Sequence, residues 1–527
     1  MIVGVHVYWC KIARSEREYA DIAKLNYETF VEEIPQHAKD ETGKRTDAFH
    51  QENTYLIVLK EHQLVGMIAL RDTRPFSLDR KVGPVEKVLP IEALTGKLCE
   101  IRLLSVRKEH RNGRVFFMLA RALADYAYEK GYGAAVISGT VRELKLYSQL
   151  GFQAFAEPVG SEEAAFIPMF LTKERYEQSI AARFQHKRHT FYPGPNELSP
   201  ELKKPFQRSP ISHRSYEFTE RFKRVQTQLL KMTGASQVHL LAGSGTLANE
   251  AMIAQISRLP DKGLVLINGA FGERLKRQAL KWNLEFETLE VEWGNPFKVS
   301  DLKLLLQSGI YGWVLLAHGE TSTGMLNDVD DILGLCKEQK IQVCMDCVSS
   351  LGTVPINLKE VYLATGVSGK AIGTMTGIAL VFSNHLIDVS PSIPTYLDLG
   401  CYANGEIPYT YSSQLLESLE IALKAYDKNA RYNVLNKRYD KLLLAEQNGE
   451  FEFLTKQSYP MIVTLKVPPV NKHMAKDARL SGFDLHDQSA YLKARQWVQL
   501  SLIQPEFEES FEKFRLWLIN YVEYEKQ

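Results

Sequence analysis

The chain has 527 residues, 45% hydrophobic and 24% charged, which is too long for one ordinary domain and ordinary for a globular protein. Its 64 Lys+Arg nearly balance 63 Asp+Glu, so no strong overall field favours nucleic acid as the main partner. No apolar run approaches the ~18–20 residues that span a bilayer, and no basic region precedes the apolar N-terminus, which reads as a strand rather than a signal peptide. Six cysteines make no disulfide framework, so a reducing, cytoplasmic setting is expected.

In chain order, Glu16–Phe30 carries apolar residues at helical spacing. Asn53–Arg71 reads as a β-hairpin turning at Lys60–Gln63. A strand is expected over 97–106, a helix over Arg114–Lys130, and a short strand over 134–139. A helix over Arg142–Leu150 should end on Gly151 as its C-terminal glycine. A last strand surrounds Phe166–Leu171, and the basic stretch 172–190 reads as a helical linker running into Tyr192-Pro193-Gly194-Pro195. Beyond 190 the runs QVHLLAG, GLVLING, YGWVLLAH, IQVCMD and GIALVF alternate with helical segments. Parallel strands buried on both faces read this way, with ligands at their carboxyl ends. From about 415 the pattern becomes long helices, a strand and a final helix, as in a smaller α+β subdomain. The expected limits are 1–178, a linker 179–190, a large α/β domain 191–410 and a small subdomain 411–527.

Five features fall at strand ends in the C-terminal part. Gly243-Ser244-Gly245-Thr246 joins a strand to a helix, where free N–H groups suit a phosphate. Phe271 stands between glycines, placed to stack on a flat ring. His318-Gly319-Glu320-Thr321-Ser322-Thr323-Gly324 is a dense polar cluster after a buried strand. Asp346 closes a buried strand and calls for a cation, such as a protonated pyridine nitrogen. Lys370, after Ser368-Gly369, forms a Schiff base if burial lowers its pKa. Cys344 and Cys347 form a C-x-x-C that reads as two small residues at a buried strand end rather than a redox or metal pair.

These strings, with HGETSTG, DCVSSLGTVP and SGKA in order and YPGP and ISHRSYEF ahead of them, resemble the class V aminotransferases, the alanine–glyoxylate and serine–pyruvate group, over roughly 190–527. The resemblance implies a fold-type I enzyme using pyridoxal 5′-phosphate (PLP). Ser244, Gly245 and Thr246 would hold the phosphate, with Phe271 on the ring and Thr321 near its O3′. Asp346, beside Val348, would pair with the ring nitrogen, and Lys370 would be the Schiff-base lysine. Members are homodimers, so Thr410 would reach the other subunit's phosphate. Gly369 stands where relatives often have glutamine. Gln499, in ARQWVQLSL, stands where they have a carboxylate-clamping arginine. Arg495 or another cation substitutes, or the amine lacks an ordinary α-carboxylate.

In the first part, KLCEIRLLSVRKEHRNGRVFFMLARAL is a strand, a basic turn and a helix, able to hold pyrophosphate on backbone N–H groups. With LKLYSQLGF downstream, residues 1–175 resemble the GNAT acyltransferases, in the flavour of homoserine-lactone and N-acyl amino acid synthases, although HRNGRVF lacks their second glycine. The resemblance implies an α+β fold and an acyl-CoA or acyl-carrier-protein thioester held near Val106, Arg111, Gly113 and Arg114. Tyr147 would protonate the leaving thiolate, and Glu100 would take a proton from the amine. The expected whole is a bifunctional aminotransferase and N-acyltransferase acting on a small-molecule amine and a 2-oxo acid, with no metal. The alternative is a PLP lyase or desulfurase, with Cys401 as its nucleophile, carrying a non-catalytic GNAT-like sensor or docking domain.

Overall fold

A computed structural model of the protein describes every residue except 1–6, 35–37, 161–164, 180–181, 183–187, 309–310, 404–406 and 467–471. Residues 180–181 and 183–187 of the expected linker therefore lie outside the described residues. The chain forms two compact units: residues 1–189 with 470–484 and 513–527, and residues 190–469 with 485–512.

The first unit is built on seven strands in the spatial order β1 (Tyr8–Ile12), β2 (Thr54–Lys60), β3 (Gln63–Arg71), β4 (Lys97–Val106), β5 (Tyr132–Thr140), β7 (Phe166–Thr172) and β6 (Gln153–Ala154). The hairpin β2–β3 turns on Glu61 and His62, with φ of +46° and +66°, the left-handed pair that matches strand twist. Pairing is antiparallel except between β4 and β5, which the helix Arg114–Lys130 connects. That parallel pairing runs only from Lys97–Tyr132 to Glu100–Val136. Beyond it β4 bulges, with Leu103 at φ +54°, and the two strands part.

The helix expected over Glu16–Phe30 holds as an α-helix over Glu16–Tyr27, opened by a Ser15–Glu18 capping box, and continues as a π-helix over Glu28–Glu33. The helix expected over Arg142–Leu150 narrows to Leu144–Gln149 behind a 3-10 turn, with Gly151 at φ +95°.

The single subdomain expected over 411–527 is divided, because β1 is an edge strand whose residues Trp9 and Cys10 are fully buried and must be covered. The cover comes from the far end of the chain. Trp9 packs edge-on against Tyr521 and Tyr524, and Arg14 forms a two-pronged ion pair with Asp477 at 2.7 and 2.9 Å. Asp477 is wholly buried and also accepts from the Tyr521 hydroxyl at 3.3 Å.

The second unit holds a seven-stranded sheet in the order Phe286–Glu290, Gly263–Ile267, Trp313–Ala317, Gln342–Asp346, Leu363–Val367, Gly377–Ser383 and Gln237–Gly243. Only Gly377–Ser383 runs antiparallel to its neighbours. Side chains alternate between two buried layers, Leu264, Leu266, Val314 and Leu316 on one face and Val265, Ile267, Leu315 and Ala317 on the other. A separate antiparallel sheet joins Glu452–Phe453, Ile462–Lys466 and Val498–Ser501.

Asp477→Ala leaves Arg14 facing a buried, uncompensated site, and its loss should cost about 3 kcal/mol of stability. The expected outcome is a lower midpoint for the first unit in a thermal melt. An unchanged midpoint would show that the pair is not needed to seat the segment on β1.

Candidate functional site

The candidate residues follow the carboxyl ends of five parallel strands, those ending at Gly243, Ile267, Ala317, Asp346 and Val367. Asp346 ends its strand with 6% of its surface exposed. One carboxylate oxygen accepts from the Asn249 side-chain amide at 2.7 Å, the other from the Val348 N–H at 2.9 Å. Asn249 is itself oriented by the Thr365 hydroxyl, which donates to its carbonyl at 2.7 Å. Among the described residues no salt bridge neutralises Asp346, so its charge is held by dipoles and available to a cation.

Lys370 follows the strand Leu363–Val367 through Ser368 and Gly369. Ser368 ties this turn down by donating to the Met375 carbonyl at 2.7 Å. Gly369 has no room for a side chain, since a Cβ there would lie 2.1 Å from Thr376 Oγ1 and 2.6 Å from its backbone. Glycine at this position is therefore a packing requirement of this chain. The Lys370 amine sits 5.3 Å from the Phe271 ring centre. Burial pulls its pKa down to about 8, opposed by the charge of Asp346 and reinforced by Arg274.

Phe271 opens the helix Ala270–Lys281. Glu320, fully buried, caps that helix. Its carboxylate accepts from Phe271 N–H at 3.1 Å, Gly272 N–H at 3.0 Å, Ser322 N–H at 3.1 Å and the Ser322 hydroxyl. Burial raises its pKa while these four donors pull the other way. Gly269 is required here, because a Cβ would fall 2.3 Å from the Glu320 carboxyl carbon. Burial also holds His318 down to about 4, so it is neutral; its Nδ1 lies 3.9 Å from the Cys347 sulfur. Cys344 and Cys347 are both buried and free, and burial pushes both thiols up. No cluster that could hold a metal occurs among the described residues.

Thr321 is buried with its hydroxyl beside that of Tyr459, and its carbonyl accepts from the Gln499 amide at 2.7 Å. Ser244 and Thr246 are exposed at the start of the helix Gly245–Ile256, and no side chain caps that end. Gly245 lies tight beneath Val348, where a Cβ would come within 2.6 Å of a Val348 methyl. Thr410 is exposed on the surface and makes no described bond to this group. The sequence reading had not singled out Asn249, Arg274 or the structural work of Glu320. Arg274 lies one turn into the Phe271 helix, its guanidinium 4.7 Å from the same ring centre.

In the first unit, the expected thioester turn is tied to its own chain. Arg111 forms a two-pronged pair with Glu33 at 2.5 and 2.7 Å and donates to the Val106 carbonyl at 2.8 Å. Gly113 has φ +85°, the Arg114 N–H is taken by the Asn112 side chain at 3.1 Å, and the Arg114 guanidinium lies over the Tyr8 ring. Tyr147 is half-buried beside Thr140, with burial raising its pKa. Glu100 corrects the expectation of a proton acceptor. It is 1% exposed and its carboxylate already accepts from Ser77 N–H, the Ser77 hydroxyl and Leu78 N–H at 2.8, 2.6 and 3.0 Å. It caps the 76–78 turn and lies 3.5 Å from the Arg102 guanidinium. A separate cavity of about 440 Å³ is lined by Tyr19, Asn26, Asp47, His50, Asn53 and Tyr55.

Residues 25–121 match the family model of the acetyltransferase (GNAT) domain, and residues 205–392 that of aminotransferase class-V. A 2-aminoethylphosphonate–pyruvate transaminase of Pseudomonas putida is 30% identical over 276 residues, 48% of this chain and 75% of that protein. Among solved structures, an alanine–glyoxylate aminotransferase from Nostoc sp. shares the fold at TM-score 0.57 and 23% identity, over 63% of this chain and 94% of that one. An aspartate aminotransferase of subgroup IV from Thermus thermophilus matches at TM-score 0.55 and 25% identity, over 63% of this chain and 99% of that one. The chain thus belongs to the class V aminotransferases, a family that implies PLP, and carries a GNAT domain on its N-terminal side.

Proposed function

We propose that the second unit transfers an amino group between an amine and a 2-oxo acid, with Lys370 as the residue that carries PLP. The observation that carries this reading is the Lys370 amine, buried beside Phe271 with its pKa lowered to about 8, together with the charge held at Asp346. The residues present fit the cofactor. The uncapped helix start at Ser244, Gly245 and Thr246 suits a phosphate, and the buried Thr321 hydroxyl suits a ring oxygen. Phe271 and Val348 would sandwich the ring, and Asp346 would keep its nitrogen protonated. When bound, PLP supplies an electron sink for a carbanion at the substrate carbon. Lys370, once released, moves the proton at that carbon. Relatives act on 2-aminoethylphosphonate and pyruvate by name, and an amine and 2-oxo acid pair of that kind is the working substrate class.

The desulfurase alternative needs a thiolate on a mobile loop. Cys401 instead lies in the short helix Gly400–Ala403, 3.9 Å from Asp398, where burial and that carboxylate raise its pKa. The finer setting we propose is a cytoplasmic homodimer, in keeping with six free cysteines and with Thr410 exposed for a partner's phosphate. No helix among the described residues is long and apolar enough to cross a membrane.

For the N-terminal half, over 1–178, we propose N-acyl transfer from an acyl-CoA or acyl-carrier-protein thioester held near Val106, Arg111, Gly113 and Arg114, with Tyr147 protonating the thiolate. The ties of Arg111 to Glu33 and of Asn112 to Arg114 favour a second reading, a GNAT fold kept for docking or sensing.

Two measurements check these readings. An amine with a pKa near 8 attacks an aldehyde only when unprotonated. Capture of pyridoxal phosphate by cofactor-free protein should therefore rise about tenfold per pH unit from 6 to 8 and level off above. A profile still climbing at pH 10 would mean an ordinary lysine. With acyl-CoA and an amine, Tyr147→Phe should slow acyl transfer about a hundredfold at unchanged calorimetric affinity for the thioester. Absence of any thioester binding would favour the docking reading.

A further inference from the structure

Gln499 bonds to the backbone of Thr321 and Ser322, Arg274 lies over the Phe271 ring, and the two differ in what they offer a substrate. The Gln499 side-chain nitrogen donates to the Thr321 carbonyl at 2.7 Å, the Ser322 carbonyl at 3.2 Å and Thr464 Oγ1 at 2.7 Å. Two of these acceptors are backbone carbonyls, which never donate, so the amide cannot be turned around. Its oxygen is left buried and without a donor. A carboxylate brought to this wall would meet a second acceptor, and its desolvation would go uncompensated.

Arg274 offers the reverse. Its guanidinium lies 4.7 Å from the centre of the Phe271 ring, and the Lys370 amine lies 5.3 Å from the same centre. Among the described residues Arg274 forms no ion pair. The nearby carboxylate, Glu320, gives its oxygens to Phe271, Gly272 and Ser322. The same bonds occupy the helix start, so the helix end itself is not the anion site. Arg495 is the competing cation, but it is exposed and stacked 3.6 Å from the Trp293 ring. Its flat face is thus spent on an indole at the rim.

Resting on the aminotransferase reading, we propose that Arg274 holds the anionic group of the substrates of this site, and that Gln499 takes no part in binding it. The substrate class is an amine bearing a carboxylate, phosphonate or sulfonate, together with the matching oxo acid. The group is held by a charge-assisted pair on the Phe271 side of the pocket rather than against the strand Val498–Ser501.

The test uses the holoenzyme and two oxyamines that differ in one charge, aminooxyacetate and O-methylhydroxylamine. In each reaction the oxyamine nitrogen forms the new C=N bond at the cofactor aldehyde carbon, and Lys370 leaves as the free amine. The second-order rate of loss of the yellow chromophore is the readout. The wild type should react with aminooxyacetate at least tenfold faster than with O-methylhydroxylamine. Arg274→Gln should erase that preference, a loss of roughly ten- to a hundredfold for the charged reagent alone, and Gln499→Met should retain it. Discharge of the yellow chromophore by O-methylhydroxylamine shows that each variant is folded and loaded, and the ratio of the two rates within each variant is compared. The proposal is overturned if the wild type shows no preference, if Arg274→Gln keeps it, or if Gln499→Met removes it. If neither reagent touches the chromophore in the wild type, it is the aminotransferase reading that fails.

Discussion

A carboxylate with no cation, buried among four donors, fixes the geometry on which the pocket depends. Glu320 bridges the start of the helix Ala270–Lys281 to the turn at Ser322. On one side it sets Phe271 and Arg274 against Lys370, and on the other it sets Thr321. The helix start carries about half a positive charge, which makes the buried anion tolerable. Burial alone would drive the proton back on, and the donors oppose it. Asp346 uses the same device with Asn249 and Val348, two donors rather than four, which leaves it the freer of the two carboxylates toward a bound cation.

Much of this was legible in the sequence where local chemistry decides structure. The strand over 97–106 and the helix over Arg114–Lys130 fall where alternation and helical period put them. The hairpin turn and the five apolar runs beyond 190 do so too. Two strands of the large sheet were not legible. Phe286–Glu290 is a half-exposed edge with no apolar run, and Leu363–Val367 is short and broken by Thr365 and Gly366. Asp346 and Lys370 could be picked out by residue type and place. Asn249, 97 positions from the carboxylate it orients, could not. At Gln499 the residue is visible in the sequence, but which end of its amide faces the pocket depends on two carbonyls nearly 180 positions away.

In the N-terminal half, charges that cluster in the sequence are partly engaged by the fold. Arg107, Lys108, Arg111 and Arg114 cluster in the sequence and suggest attraction for pyrophosphate. In the fold the π-helix Glu28–Glu33 lies alongside, where Glu28 takes Arg107 at 2.9 Å and Glu33 takes Arg111. A phosphate entering this turn must displace an intact ion pair, which weakens binding relative to a free backbone cradle. The end of β4–β5 pairing at Glu100 and the bulge at Leu103 do not depend on these charges.

The same long-range dependence limits how the two halves can be studied apart. The expected boundary near 180 follows a real change in composition, yet the first unit also contains residues 470–484 and 513–527. A fragment ending at 178 would expose Trp9 and Cys10, now fully buried, and leave Arg14 without Asp477. It would also free Lys11, which is buried between Glu18 and Glu525. Loss of activity on truncation would then report an unfinished β1 edge rather than a missing partner site. Whether the two chemistries are coupled is therefore a question for single substitutions at Lys370 and Tyr147 in the full chain. Each alters its own site and leaves the cover of β1 untouched.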